Sequence, residues 1–185
     1  MENMDSLNVK QPDFLTRDSS EYTPEVIDYI KQIIQNEFAY ESAGSVYFDT
    51  GAFTDAGQNY GKLEPGSVGN QSLIAEGEFV LWKKSKNGEL TWESPWRPGR
   101  PGWHIEFSAM VSNVLGPLID IHAGGVDLHF RHHSDEVAQA EAYQSSHNYD
   151  ADDDVVVLSP DNAVIDLVNH PIVNGGPHRC RRDGG

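Results

Sequence analysis

Residues 102–143, GWHIEFSAMVSNVLGPLIDIHAGGVDLHFRHHSDEVAQAEAY, constrain the fold more than any other stretch of the chain. His104-Ile105-Glu106-Phe107 reads as a strand, and Ser108 as the cap of a short helix over 109–115 that stops at Gly116. Residues 118–121 form the next apolar strand, and a helix follows from about His132 to Ser146. Strand, helix, strand, helix over forty residues predicts parallel βαβ construction, with two or three parallel strands between 78 and 147. Five of the chain's eight histidines, at 104, 122, 129, 132 and 133, fall inside this stretch. His132 and Glu136 are four apart, so on a helix they project from one face, a spacing that suits two ligands of one divalent metal. Ala123-Gly124-Gly125 ends a strand in a loop whose backbone can approach a ligand closely.

Thirteen basic residues against twenty-nine acidic ones give a net charge of −16. A chain this acidic repels phosphate backbones, so unaided nucleic-acid binding is not expected. One cysteine, Cys180, excludes an intramolecular disulfide framework and fits a reducing, cytoplasmic setting. No apolar run approaches the roughly 18 residues of a membrane span, and the N-terminal residues lack the pattern of a signal or transit segment.

Residues 1–22 are polar around Pro12 and read as an extended leader. Thr23-Pro24-Glu25 marks a helix start, with Thr23 as N-cap and Pro24 at the first helical position. Val26, Ile27, Ile30, Ile33 and Ile34 then share one face, predicting an amphipathic helix to about Asn36. Residues 39–40 and 45–48 read as a hairpin turning at 42–44. Residues 51–77, rich in Gly, Asn, Gln and Ser, read as a long loop, and 79–82 as a buried strand. Trp92, Trp96 and three prolines make a rigid connector, with Trp82 and Trp92 read as packing residues. From about residue 148 the chain changes character, and poor order is expected beyond Asn169.

These residues together resemble part of the catalytic domain of the cysteinyl-tRNA synthetase family, of the eukaryotic cytosolic type. The resemblance runs over about residues 7–143 and is carried by LNVKQPDFLTR, NEFAYESAGSVYFDT, YGKLEP, EFVLWKKSKNGE, WESPWRPGRPGWHIEFSAM, LIDIHAGGVDL and HHSDEVAQAEAY. It implies an α/β fold: part of a class I synthetase Rossmann-like parallel sheet, part of the connective insertion and a divergent C-terminal tail. The implied division is a leader over 1–22, connective insertion over 23–77, the second half of the nucleotide-binding domain over 78–147, and a tail over 148–185. The implied reaction joins cysteine to ATP as an adenylate and passes it to tRNA, with zinc selecting the substrate thiol. A zinc-bound thiol ionises to a soft thiolate that a serine hydroxyl cannot imitate.

Carried over residue by residue, His132 and Glu136 match two family zinc ligands. Trp103 and His122 match residues of the cysteine pocket, and Gly124, Gly125 and Asp127 match the turn and acid set against the adenosine. Phe107 stands where the family has a cysteine zinc ligand, Ala123 replaces a glycine, and Arg131 replaces a proline. Neither the HIGH nor the KMSKS motif occurs in the 185 residues. The expectation is therefore a partial ligase catalytic domain, weakly active or inactive alone, which binds zinc weakly or not at all. Two other readings stand beside it: a non-catalytic interaction module derived from a synthetase, and a structural metal-binding protein built on His132 and Glu136.

Overall fold

The computed structural model describes residues 6–16, 21–63, 78–116, 119, 121–125, 128–145 and 163–166. Helix α1 (Thr23–Gln35) forms as its isoleucine spacing predicts, with Val26, Ile30 and Ile33 fully buried. Tyr22, not Thr23, is the N-cap residue, and Thr23 is itself helical and buried. Pro24 in the first turn lacks only an N–H that has no helical partner there.

The hairpin follows as β1 (Ala39–Ser42) and β2 (Ser45–Asp49), paired from Ala39 with Phe48 to Ser42 with Ser45. Its two-residue turn, Ala43-Gly44, has φ of 52° and 87°. Both are left-handed values, the twist that lets neighbouring strands continue without splaying. The expected loop after residue 51 begins instead as a short helix α2 (Thr50–Asp55), because the Asp49 side chain accepts from the Ala52 N–H at 2.8 Å and caps it.

Strand β3 (Glu78–Lys84) pairs with β2, and β4 (Gly99–Pro101) pairs with β3, giving the order β1-β2-β3-β4. Two glycines let β4 and the next helix lie against β3. A Cβ on Gly99 would stand 2.5 Å from Lys83 O and Trp82 Nε1, and one on Gly102 would stand 2.0 Å from Val80 O. Trp82 is buried as expected and donates from Nε1 to Arg97 O at 3.0 Å.

Two expectations need correction here. The class is mixed α/β, but every strand pairing among the described residues is antiparallel, not parallel. Within 78–147 the chain returns from β3 to β4 through residues 85–98, which contain no helix to carry a parallel crossover. Residues 104–107 are also not a strand. They are the first full turn of helix α3 (Trp103–Leu115), which starts directly after Gly102. The alternation in HIEF is only four residues long, whereas Ile105, Ser108 and Ala109 are buried at helical spacing. Strand β5 (His122–Gly125) pairs antiparallel with β6 (Ala163–Asp166) in a separate two-stranded sheet. A π-helical turn (His129–His133) then leads into α4 (Ser134–Gln144), close to the helix expected over 132–146.

Helices α1, α3 and α4 pack on one another beside the four-stranded sheet. One core joins them, running from Val26 and Ile33 through Phe48, Phe53 and Trp82 to Ile105 and Ala142. It draws on residues from both sides of position 78. Asn36, just past α1, donates to the carbonyls of Ala142 and Tyr143 at 2.7 and 3.0 Å. These carbonyls lie in the last turn of α4, which has no helical donors for them. Asp127 and the chain beyond residue 169 lie outside the described residues.

Candidate active site

Helix α3 carries Trp103, His104 and Phe107, the start of α4 carries His132, His133, Asp135 and Glu136, and β5 carries His122. The structure brings Trp103, Phe107, His122, His132 and Glu136 together. The Trp103 and His132 rings are 4.4 Å apart, and Phe107 stands edge-on to His122 at 6.0 Å and to His132 at 6.3 Å. His132 Nε2 lies 2.9 Å from Glu136 Oε1, the contact expected one helical turn apart, and His122 Nε2 lies 3.3 Å from Glu136 Oε2. The π-turn supplies one residue more than an α-turn would, a local irregularity common at functional sites.

Gly124 lies elsewhere than against a solvent-filled loop. A Cβ there would stand 2.4 Å from His133 Nε2, so the missing side chain is what lets the imidazole pack on β5. Gly125 follows it on the same strand, exposed.

Three residues that the sequence did not mark as site residues complete the cluster. His104 Nδ1 lies 2.6 Å from His132 Nδ1, and His104 Nε2 lies 3.5 Å from Asp135 Oδ2. The Tyr60 hydroxyl donates to Asp135 Oδ1 at 2.5 Å across 75 positions of sequence. Lys62 forms an ion pair with Glu141, so the segment at 60–63 is tied to α4 at two points. Only the histidine count pointed to His104; no local pattern joins Tyr60 to Asp135.

Burial sets the charge state of this cluster. It pushes His104 down to about 4, reinforced by His132 and Arg131, and it lowers His122 and His132 as well. It pushes Asp135 up to about 7, against the opposing pull of Tyr60 and Arg131. Tyr60 is held above the usual phenol value by burial and then by Asp135. Neutral imidazoles allow one consistent pattern of donors. With a protonated Asp135 beside His104 Nε2, His104 carries its own proton on Nδ1 and donates it to His132 Nδ1, while His132 Nε2 lies 2.9 Å from Glu136 Oε1 without hydrogen-bond alignment. His104 Nε2 then accepts from a protonated Asp135 over a long contact, and Asp135 accepts from Tyr60.

This pattern does not fit zinc. His132 Nδ1 is taken up by His104, Nε2 faces Glu136 at 2.9 Å, and the neighbouring Phe107 ring has no donor atom. Tetrahedral zinc takes four N, S or O donors around one point. Among the described residues, no three His, Cys, Asp or Glu side chains are grouped to hold a metal ion. The implied ligands His132 and Glu136 lie against each other, Nε2 and Oε1 2.9 Å apart.

The family model for the class I (C) tRNA synthetase catalytic domain matches residues 1–158. The chain is 54% identical over 165 residues to the cytoplasmic cysteine–tRNA ligase of Dictyostelium discoideum, covering 80% of this chain and 25% of that protein. It is 48% identical over 159 residues to the Homo sapiens protein of the same name, covering 76% and 21%. Against the Drosophila melanogaster protein of that name it is 48% identical over 158 residues, covering 75% and 21%. The chain thus spans about a quarter of the length of the curated relatives it matches, and it belongs to the family of class I (C) tRNA synthetase catalytic domains.

Proposed function

We propose that this chain carries one part of a cysteine–tRNA ligase catalytic domain and does not by itself activate cysteine. In this reading the substrates of the whole protein are cysteine, ATP and tRNA, and its setting is the cytoplasm. Residues 23–77 correspond to the connective insertion and 78–147 to the second half of the nucleotide-binding domain. Trp103 and His122 face the amino acid, while Gly124, Gly125 and Asp127 face the adenosine. His132 and Glu136 are what remains of a zinc site.

The observation that carries the reading is Phe107, edge-on to both His122 and His132, at the position where the family resemblance calls for a cysteine ligand. Zinc in this position would polarise and ionise the substrate thiol, and a site without it has no means of telling cysteine from serine by softness. What the chain's own residues do here is hold His132 in one tautomer through His104 and present the exposed Trp103 indole at the rim. The sequence also contains no HIGH or KMSKS group to stabilise charge on a triphosphate.

A zinc titration by calorimetry tests the carrying observation. The unaltered chain should bind zinc weakly or not at all, and Phe107→Cys should tighten binding by adding a third donor. Stoichiometric binding tighter than about micromolar by the unaltered chain, lost in His132→Ala, would contradict it. The reading as an interaction module draws support from one observation: α3 presents Trp103 and Leu115 to solvent, 63% and 58% exposed.

A further inference from the structure

The net charge of −16 is not spread evenly over the chain. Residues 83–100, which take in the end of β3, its connector and the start of β4, hold five of the thirteen basic residues and only two of the twenty-nine acidic ones. Lys83, Lys84, Lys86, Arg97 and Arg100 are all exposed, and none of them forms an ion pair among the described residues. The fold gathers these cations. Register sets Lys83 directly opposite Arg100 across β3 and β4, an arrangement of like charges that destabilises a sheet. The stems of Lys84 and Arg97 meet over Gly44, where a Cβ would stand 2.4 Å from Arg97 Cγ and 3.5 Å from Lys84 Cδ. The backbone of Arg97 is held in place: its carbonyl accepts from Trp82 Nε1 at 3.0 Å and Ser94 Oγ at 2.6 Å, and its N–H donates to Ser94 Oγ at 3.2 Å. Glu89 feels the resulting field. The Lys86 N–H, and then the charges of Arg100, Lys86 and Lys83, hold its carboxyl below the usual value.

We propose that this basic ribbon binds a single strand of nucleic acid through its phosphates, without reading its bases. Exposed charges farther apart than about 8 Å are largely screened at physiological ionic strength, so the ribbon's own cations, and not the net charge, govern what it touches. A strand narrow enough to lie along the ribbon meets those cations alone. A duplex or an anionic membrane presents negative charge to the rest of this acidic chain as well. An acidic peptide has to freeze a flexible side chain for every pair it makes, whereas the phosphates are part of the strand's own backbone. The connector's indoles are engaged in packing: Trp96 lies on Trp82 with ring centroids 5.9 Å apart, and Trp92 is half-buried, so neither is a free platform for base stacking. The proposal stands on the ribbon and not on the reading of the chain as part of a ligase, so the two fail separately.

A fluorescein-labelled oligouridylate of about 20 nucleotides is the probe, titrated with the full-length chain and followed by anisotropy over a series of salt concentrations. Saturable binding is expected, with log K falling against log salt at a slope of about −2 to −3.5, as for three to five phosphates at roughly 0.7 each. Lys83→Gln with Arg100→Gln should flatten the slope by about 1.4 and leave stability in urea unchanged or raised, since it relieves a like-charge pair. Lys10→Gln with Lys31→Gln, which removes two cations outside the ribbon, should leave the slope as it is. No binding by ~100 µM chain at low salt, a slope that the ribbon variant does not change, or one that the distant pair flattens equally would each overturn the proposal. Poly-glutamate displacing the probe as well as unlabelled oligouridylate at equal charge, or tighter binding to phosphatidylserine vesicles, would overturn it in favour of an acidic protein or a membrane.

Discussion

Replacing Asp135 by Asn should leave the chain about equally stable in mild acid and make it clearly more stable above neutrality. Asp135 is 1% exposed and is pushed up to about 7 by burial, although Tyr60 and Arg131 oppose the shift. In the unfolded chain a carboxyl loses its proton near 3.8. A group whose folded value is raised favours the fold while protonated in both states. That contribution is whole below about pH 3.8 and is lost as pH rises towards 7. Moving a carboxyl from 3.8 to about 7 corresponds to about 4 kcal/mol, and relaxation around the site brings the measured change nearer 2–4 kcal/mol. Asparagine is neutral at every pH and its amide can donate to His104 as the protonated acid does. The stability of the variant minus that of the parent should therefore rise by about 2–4 kcal/mol between pH 4.5 and 8. His104, held low by burial, works in the opposite sense and gains stability as pH rises from about 4 to its usual 6.5; because it touches Asp135, the part of the rise above pH 6.5 is the one assigned to Asp135 alone. Urea unfolding in EDTA at a series of pH values gives the comparison directly. A difference that does not change with pH would mean that Asp135 is ionised in the fold and that the neutral relay from Tyr60 to His132 is wrong.

Three further outcomes are expected. Gly102→Ala puts a Cβ 2.0 Å from the backbone oxygen of Val80, so it should cost about 3 kcal/mol or more in urea unfolding, and a near-neutral result would mean that β4 does not lie against β3 as described. Asn36→Ala removes two hydrogen bonds to the last turn of α4 and should cost about 1–3 kcal/mol, with faster amide exchange at the end of that helix; unchanged exchange there would refute the cap. Phe107→Cys should tighten zinc binding without creating cysteine activation, since phosphate-handling groups are still lacking; exchange activity in that single variant would refute the account of what is missing.

The parts of the fold that short-range pattern could reveal were legible. The isoleucine stripe of α1 and the β1–β2 hairpin formed where their spacing put them, within a residue or two. The start of α3 was not, because HIEF satisfies a strand alternation and a helix turn equally over four residues, and only the burial of Ile105 with Ser108 and Ala109 separates them. Strand direction was hidden for another reason: the alternation of strands and helices says nothing of which strands pair, and here β4 folds back on β3 before α3 begins. At the site, the i, i+4 spacing of His132 and Glu136 was readable, and so was the anomaly of Phe107. The contact of Tyr60 with Asp135 was not, because it is made by tertiary packing between residues that share no local pattern. Gly124 was legible as a close approach, but the group approaching it is a histidine of the chain itself.

Cysteine-dependent exchange of pyrophosphate into ATP by the purified 185-residue chain is the most direct measurement of the central claim. Electrostatic groups of the HIGH and KMSKS kind contribute roughly 3–4 kcal/mol each to the transition state, so a chain lacking both should run about 10⁴-fold or more below an intact enzyme. With Phe107 also standing at the thiol position, no exchange above background is expected. Exchange that requires cysteine and ATP, and that disappears in His122→Ala, would contradict the account.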